Sequence, residues 1–357
     1  MTAYVIAEAG VNHNGDVALA RELVDVAAEA GADVVKFQTF VPEEVISQYA
    51  PKAEYQLTST DAAETQLEMA RKLWFPNDNF FMLAQRCAGH GIRFLSTPFN
   101  LSSIDFLAAE MKLETLKLPS GEVTNGPFLL HAAKTGRNII LSTGMATLDE
   151  VRDALGILAF GLCGAEAAPG PGAFRSVFES DIGQQVLRDK VTLLHCTTEY
   201  PTPFEAVNLK AMDTLRDAFG LAVGFSDHTP GINASVAAAA RGAVLVEKHF
   251  TLDKNMDGPD HKASLDPAEL KALVSAMQEI GQAMGDGIKA PHAVEMKNMP
   301  IARKSLVARK EIAPDELFTE ENLAVKRPGT GVSPMFYWDW IGRPAPRAYA
   351  ADEVIFD

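Results

Sequence analysis

Cysteine is scarce in this chain. Its three cysteines, Cys87, Cys163 and Cys196, are odd in number and scattered over 357 residues. That pattern excludes a disulfide framework and suits a reducing, cytoplasmic setting. Long hydrophobic runs are also missing. No uninterrupted apolar stretch of about 20 residues offers a membrane span. The N-terminus has no basic region leading into a long apolar run, the mark of a secretory signal. Positive charge is in deficit, with 32 Lys and Arg against 47 Asp and Glu, a formal net charge of −15. A general nucleic-acid binder needs a basic face, so that class is excluded. A small anionic substrate is not, because a local lysine pocket can oppose the global field. The Gly/Pro-rich stretch 161–174 contains neither GxGxxG nor GxxxxGK(S/T), so it carries no nucleotide signal and reads as a flexible surface insertion.

What is present is a repeat of another kind. With 47% hydrophobic and 22% charged residues, the chain can bury a large core. Eight short β-branched, apolar runs begin at Tyr4, Val34, Arg93, Thr115, Asn138, Val191, Ala222 and Val244. Helical patterns lie between most of them, for example 17–30 closed by Gly31 and 80–90 closed by Gly91. This α/β pattern predicts a (β/α)₈ TIM barrel, in which polar residues at the strand ends converge on one mouth. The segment 41–78 reads either as a lid or substrate loop or as a structural extension. A helix opened by Pro267 ends near Met284, and the run GDGIKAPH from Gly285 breaks the pattern. The expected division is a barrel over 1–285, a linker over 286–297 and a compact module of short strands over 298–357. A module of about 60 residues is marginal alone, so docking on another surface is expected.

The strand ends carry chemistry. His228 and His249 close the seventh and eighth runs, beside Asp227 and Glu247. Neighbouring strands would bring the imidazoles together, able to hold Mn, Mg, Zn or Co with water or substrate. The plainer reading is two hydrogen-bonded core histidines. Lys36 and Lys117 interrupt apolar strands, a costly placement unless an anion meets them. With Ser120, Ser142, Thr143 and Ser226 at similar heights they suggest a phosphate or carboxylate cradle. A Schiff-base lysine is the rival, and exposed heads on wall-lining stems the structural alternative. Glu8, Glu122, Glu247, Asp227 and Asp260 are candidates for acid–base work or for orienting Lys and His. His195 and Cys196 are adjacent in a strand and point to opposite faces, which argues against a dyad.

These motifs together resemble the phosphoenolpyruvate-dependent nonulosonate synthases, the sialic acid synthase family. They include IAEAGVNHNGD, VVKFQTF, FLSTPF, KLPSGE, ILSTGMAT, HCTTEYPTP, GFSDHT, EKHFTLD with GPDH, and KRPGTG. The resemblance runs from end to end. It implies a TIM barrel followed by a small antifreeze-like (SAF) domain and a domain-swapped homodimer in which each small domain caps the partner's site. It implies attack of phosphoenolpyruvate on the aldehyde of an open-chain N-acetylmannosamine-like sugar, with water added and phosphate released. His228 and His249 would hold Mn²⁺, with Mg²⁺ or Co²⁺ as alternatives. Lys36, Lys117, Ser120, Ser142 and Ser226 would bind phosphoenolpyruvate, and Glu8 and Glu122 would manage protons. Gln38, Tyr200 and Asp260 would face the sugar, and Arg327 would reach its N-acetyl group from the partner. The leading expectation is N-acetylneuraminate formation. The alternatives are N,N'-diacetyllegionaminate from a 2,4-diacetamido-6-deoxymannose, with the choice expected to lie in the loop pocket of residues 55–67, then a sugar 6-phosphate, a non-catalytic sugar binder, or a metal-dependent lyase. Thr198 departs from the Asn that some members carry in this motif, which bears on the contacts of the sixth strand. Ice binding is not expected, since no flat Thr-rich face is evident.

Overall fold

The computed structural model describes residues 2–61 and 63–357. The chain divides into two compact units, separated between Gly285 and Asp286. In the first unit the eight predicted runs form strands. These are β1 (Tyr4–Gly10), β2 (Val34–Thr39), β3 (Arg93–Pro98), β4 (Thr115–Leu118), β5 (Asn138–Ser142), β6 (Val191–His195), β7 (Ala222–Asp227) and β8 (Leu245–His249). All pairings are parallel. The hydrogen-bonded order is β3-β2-β1-β8-β7-β6-β5-β4, and β3 and β4 at its two ends also pack together. The sheet therefore curls into a near-closed TIM barrel. Among the described residues no helix is long and apolar enough to cross a membrane.

Strand periodicity creates the two apolar layers. Side chains alternate between faces every residue. Val5, Ala7, Val35, Phe37, Leu116 and Leu118 face outward into the main core under the helices. Ile6, Val34, Leu95, Leu194 and Leu245 face inward and fill one end of the barrel as a separate cluster. The helix Val17–Ala30 shows how local signals set the outer layer. Asp16 caps its first turn by accepting from the Ala18 and Leu19 amides, and Gly31 ends it at φ 81°.

Two stretches differ from what composition suggests. The insertion 161–174 is not a loop throughout: its first two residues end the helix Leu148–Leu162, its last four open the helix Pro171–Phe178, and a further helix, Asp181–Lys190, follows before β6. Pro171 presets the first turn of the second of these, and Ser180 caps the third. Periods of two or three turns are too short to stand out in sequence against the glycines before them. Segment 41–78 contains three short helices, Pro42–Val45, Glu54–Ser59 and Gln66–Leu73. Ion pairs tie them together. Lys52 Nζ lies 2.9 Å from Glu64, Lys72 also pairs with Glu64, and Arg71 Nε lies 2.7 Å from Glu43.

The second unit has its own core, built on Leu306, Ile312, Phe318, Leu323, Trp340 and Tyr349. Its two strands, β9 (Ser305–Ala308) and β10 (Leu323–Lys326), pair antiparallel. Isolated bridges join Val307 to Val354 and Ile312 to Tyr349. The stretch 286–297 includes a helical turn, Ala293–Met296.

Candidate active site

Two residues beyond the apolar floor, the same inward faces turn charged. Lys36 Nζ lies 2.7 Å from Glu8 and 3.5 Å from Glu247. Lys117 Nζ lies 3.4 Å from the other Glu247 oxygen. Hydroxyls complete the layer. Lys36 donates to Thr97 Oγ1 at 2.8 Å, Lys117 to Ser142 Oγ at 2.8 Å, and Ser226 to Glu247 at 2.7 Å. All these groups are buried. Strand register sets the encounter, because Glu8 pairs with Lys36 and Ser226 with Glu247.

The two carboxyls differ. Burial pushes the Glu8 carboxyl up to about 7, against the pull of Lys36. Burial acts on Glu247 as well, but Lys117 and Lys36 together outweigh it and hold its carboxyl well below the usual range. One carboxyl can thus exchange a proton near neutrality while the other stays ionised. Among the lysines, burial lowers Lys117, whereas for Lys36 the two carboxylates overcome burial and raise it.

Above this layer stand the histidines. Their ring centroids are 5.7 Å apart. His228 Nδ1 donates to the Thr197 carbonyl at 2.6 Å, which leaves Nε2 as the lone-pair nitrogen, 3.4 Å from Ser226 Oγ. His249 Nδ1 is buried with no hydrogen-bond partner; the nearest carboxylate oxygen, on Asp260, is 3.8 Å away. Burial lowers both imidazoles, His228 to about 4, so they are neutral at physiological pH. A pair of neutral imidazoles with an unpartnered buried nitrogen suits ligation of a divalent metal. Among the described residues no group of three or more His, Cys, Asp or Glu side chains forms a fuller cage.

The sugar-facing candidates gather beside the histidines. Tyr200 packs on His228 with centroids 4.1 Å apart and meets His249 edge-on at 5.8 Å. Gln38 donates to Glu8 at 3.3 Å. Gly10 makes this approach possible. It sits at φ +53°, after an irregularity in β1, and a Cβ there would lie 3.3 Å from both Gln38 and His249. Gln38, Tyr200, His249 and Asp260 line a cavity of about 280 Å³. Burial raises the Asp260 carboxyl to about 6.

Ser120 lies nearby but in a different corner. Its Oγ accepts from the Gly144 amide at 3.1 Å and sits 3.2 Å from Cys196 Sγ. Thr198 Oγ1 is buried there without a partner. Glu122 is not brought into the charged layer: it is half-buried in the turn Ser120–Glu122, where its carboxylate accepts from Asn125 at 2.6 Å. Arg327 belongs to the second unit, where it is exposed and its Nε donates to the Ala302 carbonyl at 3.1 Å. In the sequence Glu247 is one of five carboxylates suited to acid–base work or to orienting Lys and His; in the structure it links both lysines and Ser226. Only the cross-strand register reveals that position. Thr97, in the STP of the third run, was passed over.

The barrel and this layer define a class, a TIM-barrel protein whose mouth gathers two buried lysines, two carboxyls and a pair of histidines. Comparison with known proteins sharpens it. The NeuB family model matches residues 23–289 and a SAF domain model matches 303–357. The N,N'-diacetyllegionaminic acid synthase of Campylobacter jejuni is 51% identical over 354 residues, covering 98% of each chain. That of Legionella pneumophila is 42% identical, covering 94% of this chain and 88% of its own. The crystal structure of an N-acetylneuraminic acid synthetase from Leptospira borgpetersenii, in complex with citrate, superposes with a TM-score of 0.68 at 30% identity, covering 84% of this chain and 90% of that one. The chain belongs to the NeuB family and ends in a SAF domain. It is an enzyme, a nonulosonic acid synthase.

Proposed function

We propose that this enzyme condenses phosphoenolpyruvate with 2,4-diacetamido-2,4,6-trideoxymannose and water to give N,N'-diacetyllegionaminate and phosphate. The observation that carries this reading is its likeness to two legionaminic acid synthases, at 51% and 42% identity, against 30% to a neuraminic acid synthetase. This likeness favours the legionaminate alternative over the expectation of N-acetylneuraminate formation. The cavity chemistry supports the same choice. Its described lining sets Phe40, Val45, Ile46, Met69, Leu73 and Phe99 beside the uncharged polar Tyr55, Gln56 and Gln66, and includes no Lys or Arg. That suits a deoxy, acetamido-rich sugar and disfavours a sugar phosphate, which would need a cation.

In this reading Lys36 and Lys117, with Ser120, Ser142 and Ser226, take the carboxylate and phosphate of phosphoenolpyruvate. The lysines already sit among carboxylates, so the incoming anion shares the two ammonium groups with Glu247, which orients both. C3 forms its bond to the aldehyde carbon, water adds at C2, and the C2–O bond breaks with loss of phosphate. Glu8, poised near neutrality, takes a proton from the water and supplies one to the nascent hydroxyl oxygen. Glu8 is better placed for this than Glu122, whose carboxylate is engaged by Asn125. His228 and His249 would hold a divalent metal, for which Mn²⁺ is our choice, with water or substrate as the other ligands. When bound it supplies Lewis-acid polarisation of the aldehyde oxygen. Gln38, Tyr200 and Asp260 orient the sugar beside the histidines.

We also place the enzyme in a domain-swapped homodimer in which Arg327 serves the partner's sugar; Arg327→Ala then raises the sugar KM and leaves that of phosphoenolpyruvate unchanged. The functional reading is tested with purified protein, Mn²⁺ and phosphoenolpyruvate, offering the diacetamido sugar and N-acetylmannosamine separately. Phosphate release and product mass should favour the diacetamido sugar. A preference for N-acetylmannosamine would restore the neuraminate assignment.

A further inference from the structure

The cavity beside the histidines has two unlike halves. Gln38, Tyr200, His249 and Asp260 make one side. The segment of short helices supplies the other: apolar Val45, Ile46, Met69 and Leu73, with polar Tyr55, Gln56 and Gln66 beside them. Met69 and Leu73 form a small buried cluster with Val11, separate from the main core and backed by Phe40. The Lys52–Glu64–Lys72 and Arg71–Glu43 ion pairs hold these helices to one another.

An open-chain sugar has its aldehyde at one end and C6 at the other. With the aldehyde at the histidines, the far end of the chain extends toward the short helices. We propose that Val45, Ile46, Met69 and Leu73 form a selectivity wall that receives the C6 methyl and the C4 acetamido methyl. This rests on the legionaminate reading and names the residues that make the choice. A methyl buried against them leaves water for an apolar contact and is favoured. A hydroxyl pressed against these four side chains, away from Tyr55, Gln56 and Gln66, loses its water partners and gains none. The wall therefore works in both directions, rewarding the deoxy sugar and rejecting its hydroxylated analogue.

The test compares kcat/KM for the diacetamido sugar with that for N-acetylmannosamine in Met69→Gln and Val45→Thr. The ratio should fall about tenfold or more in Met69→Gln, with the KM for phosphoenolpyruvate unchanged, and Met69→Leu should restore it. Val45→Thr is nearly isosteric at a side chain already 37% exposed, so it keeps the test open if the glutamine variant does not fold; a threefold fall is expected. A wild-type enzyme that uses the diacetamido sugar, with ratios unchanged in folded variants, overturns the wall and leaves the function standing. A wild-type enzyme that rejects that sugar overturns both.

Discussion

The two ends of the barrel interior are built from the same strands and differ by two residues. Ile6 is followed on the same face by Glu8, Val34 by Lys36, Leu95 by Thr97, Ile140 by Ser142 and Leu245 by Glu247. The first member of each pair is apolar and sits in or against the floor; the second is a group that can bind or react. A strand repeats its face every two residues, so one register places both layers. The floor gains from burial and asks nothing of its neighbours beyond shape. The charged layer is costly to bury and is tolerable only because each lysine meets a carboxylate and a hydroxyl. Stability and chemistry are thus stacked, and substitutions should separate them.

The largest effect is expected in the charged layer. Lys36→Met and Lys117→Met each remove a cation from the anion frame and should lower kcat/KM about 10³-fold or more, roughly 4 kcal/mol of transition-state stabilisation, measured by phosphate release. Next comes a pair on the outward face. Asp227 and Lys248 are fully buried, 3.1 Å apart, and lie between the inward Ser226–Glu247 and histidine positions. Lys248→Met removes the counter-ion of Asp227, which keeps hydrogen bonds from the Thr229 amide and hydroxyl and from Ser235, and should cost about 3–5 kcal/mol in urea denaturation. In the floor, Leu194→Ala should cost about 2–5 kcal/mol of stability while kcat/KM of the folded enzyme changes less than threefold. The smallest effect is expected for Thr198→Asn, where the buried hydroxyl has no partner; the KM for phosphoenolpyruvate should move by less than about tenfold.

Much of this was legible before the structure. Each strand announces itself by β-branched residues and a polar end, and Gly31 and Gly91 stop their helices where the period ends. Lys36 and Lys117 stand out because nothing in an apolar strand excuses a lysine. The histidine pair follows from adjacency of the last two strands. What was illegible depends on register or on short range. Glu247 becomes the hub only because Ser226 lies opposite it and both lysines reach it across the barrel. The approach of Gln38 to Glu8 and His249 needs the bend at Gly10. The helices of residues 42–73 span too few turns for a periodic signal. Glu122 follows a strand as Glu8 ends one, but the turn Ser120–Glu122 carries its carboxylate to Asn125.

The central claim is that the charged layer, not the floor, holds phosphoenolpyruvate. Isothermal titration of phosphoenolpyruvate into folded Lys36→Met and Leu194→Ala proteins tests it most directly. Lys36→Met should lose binding by at least about a hundredfold while Leu194→Ala binds as the wild type does. Wild-type affinity in Lys36→Met would contradict the account.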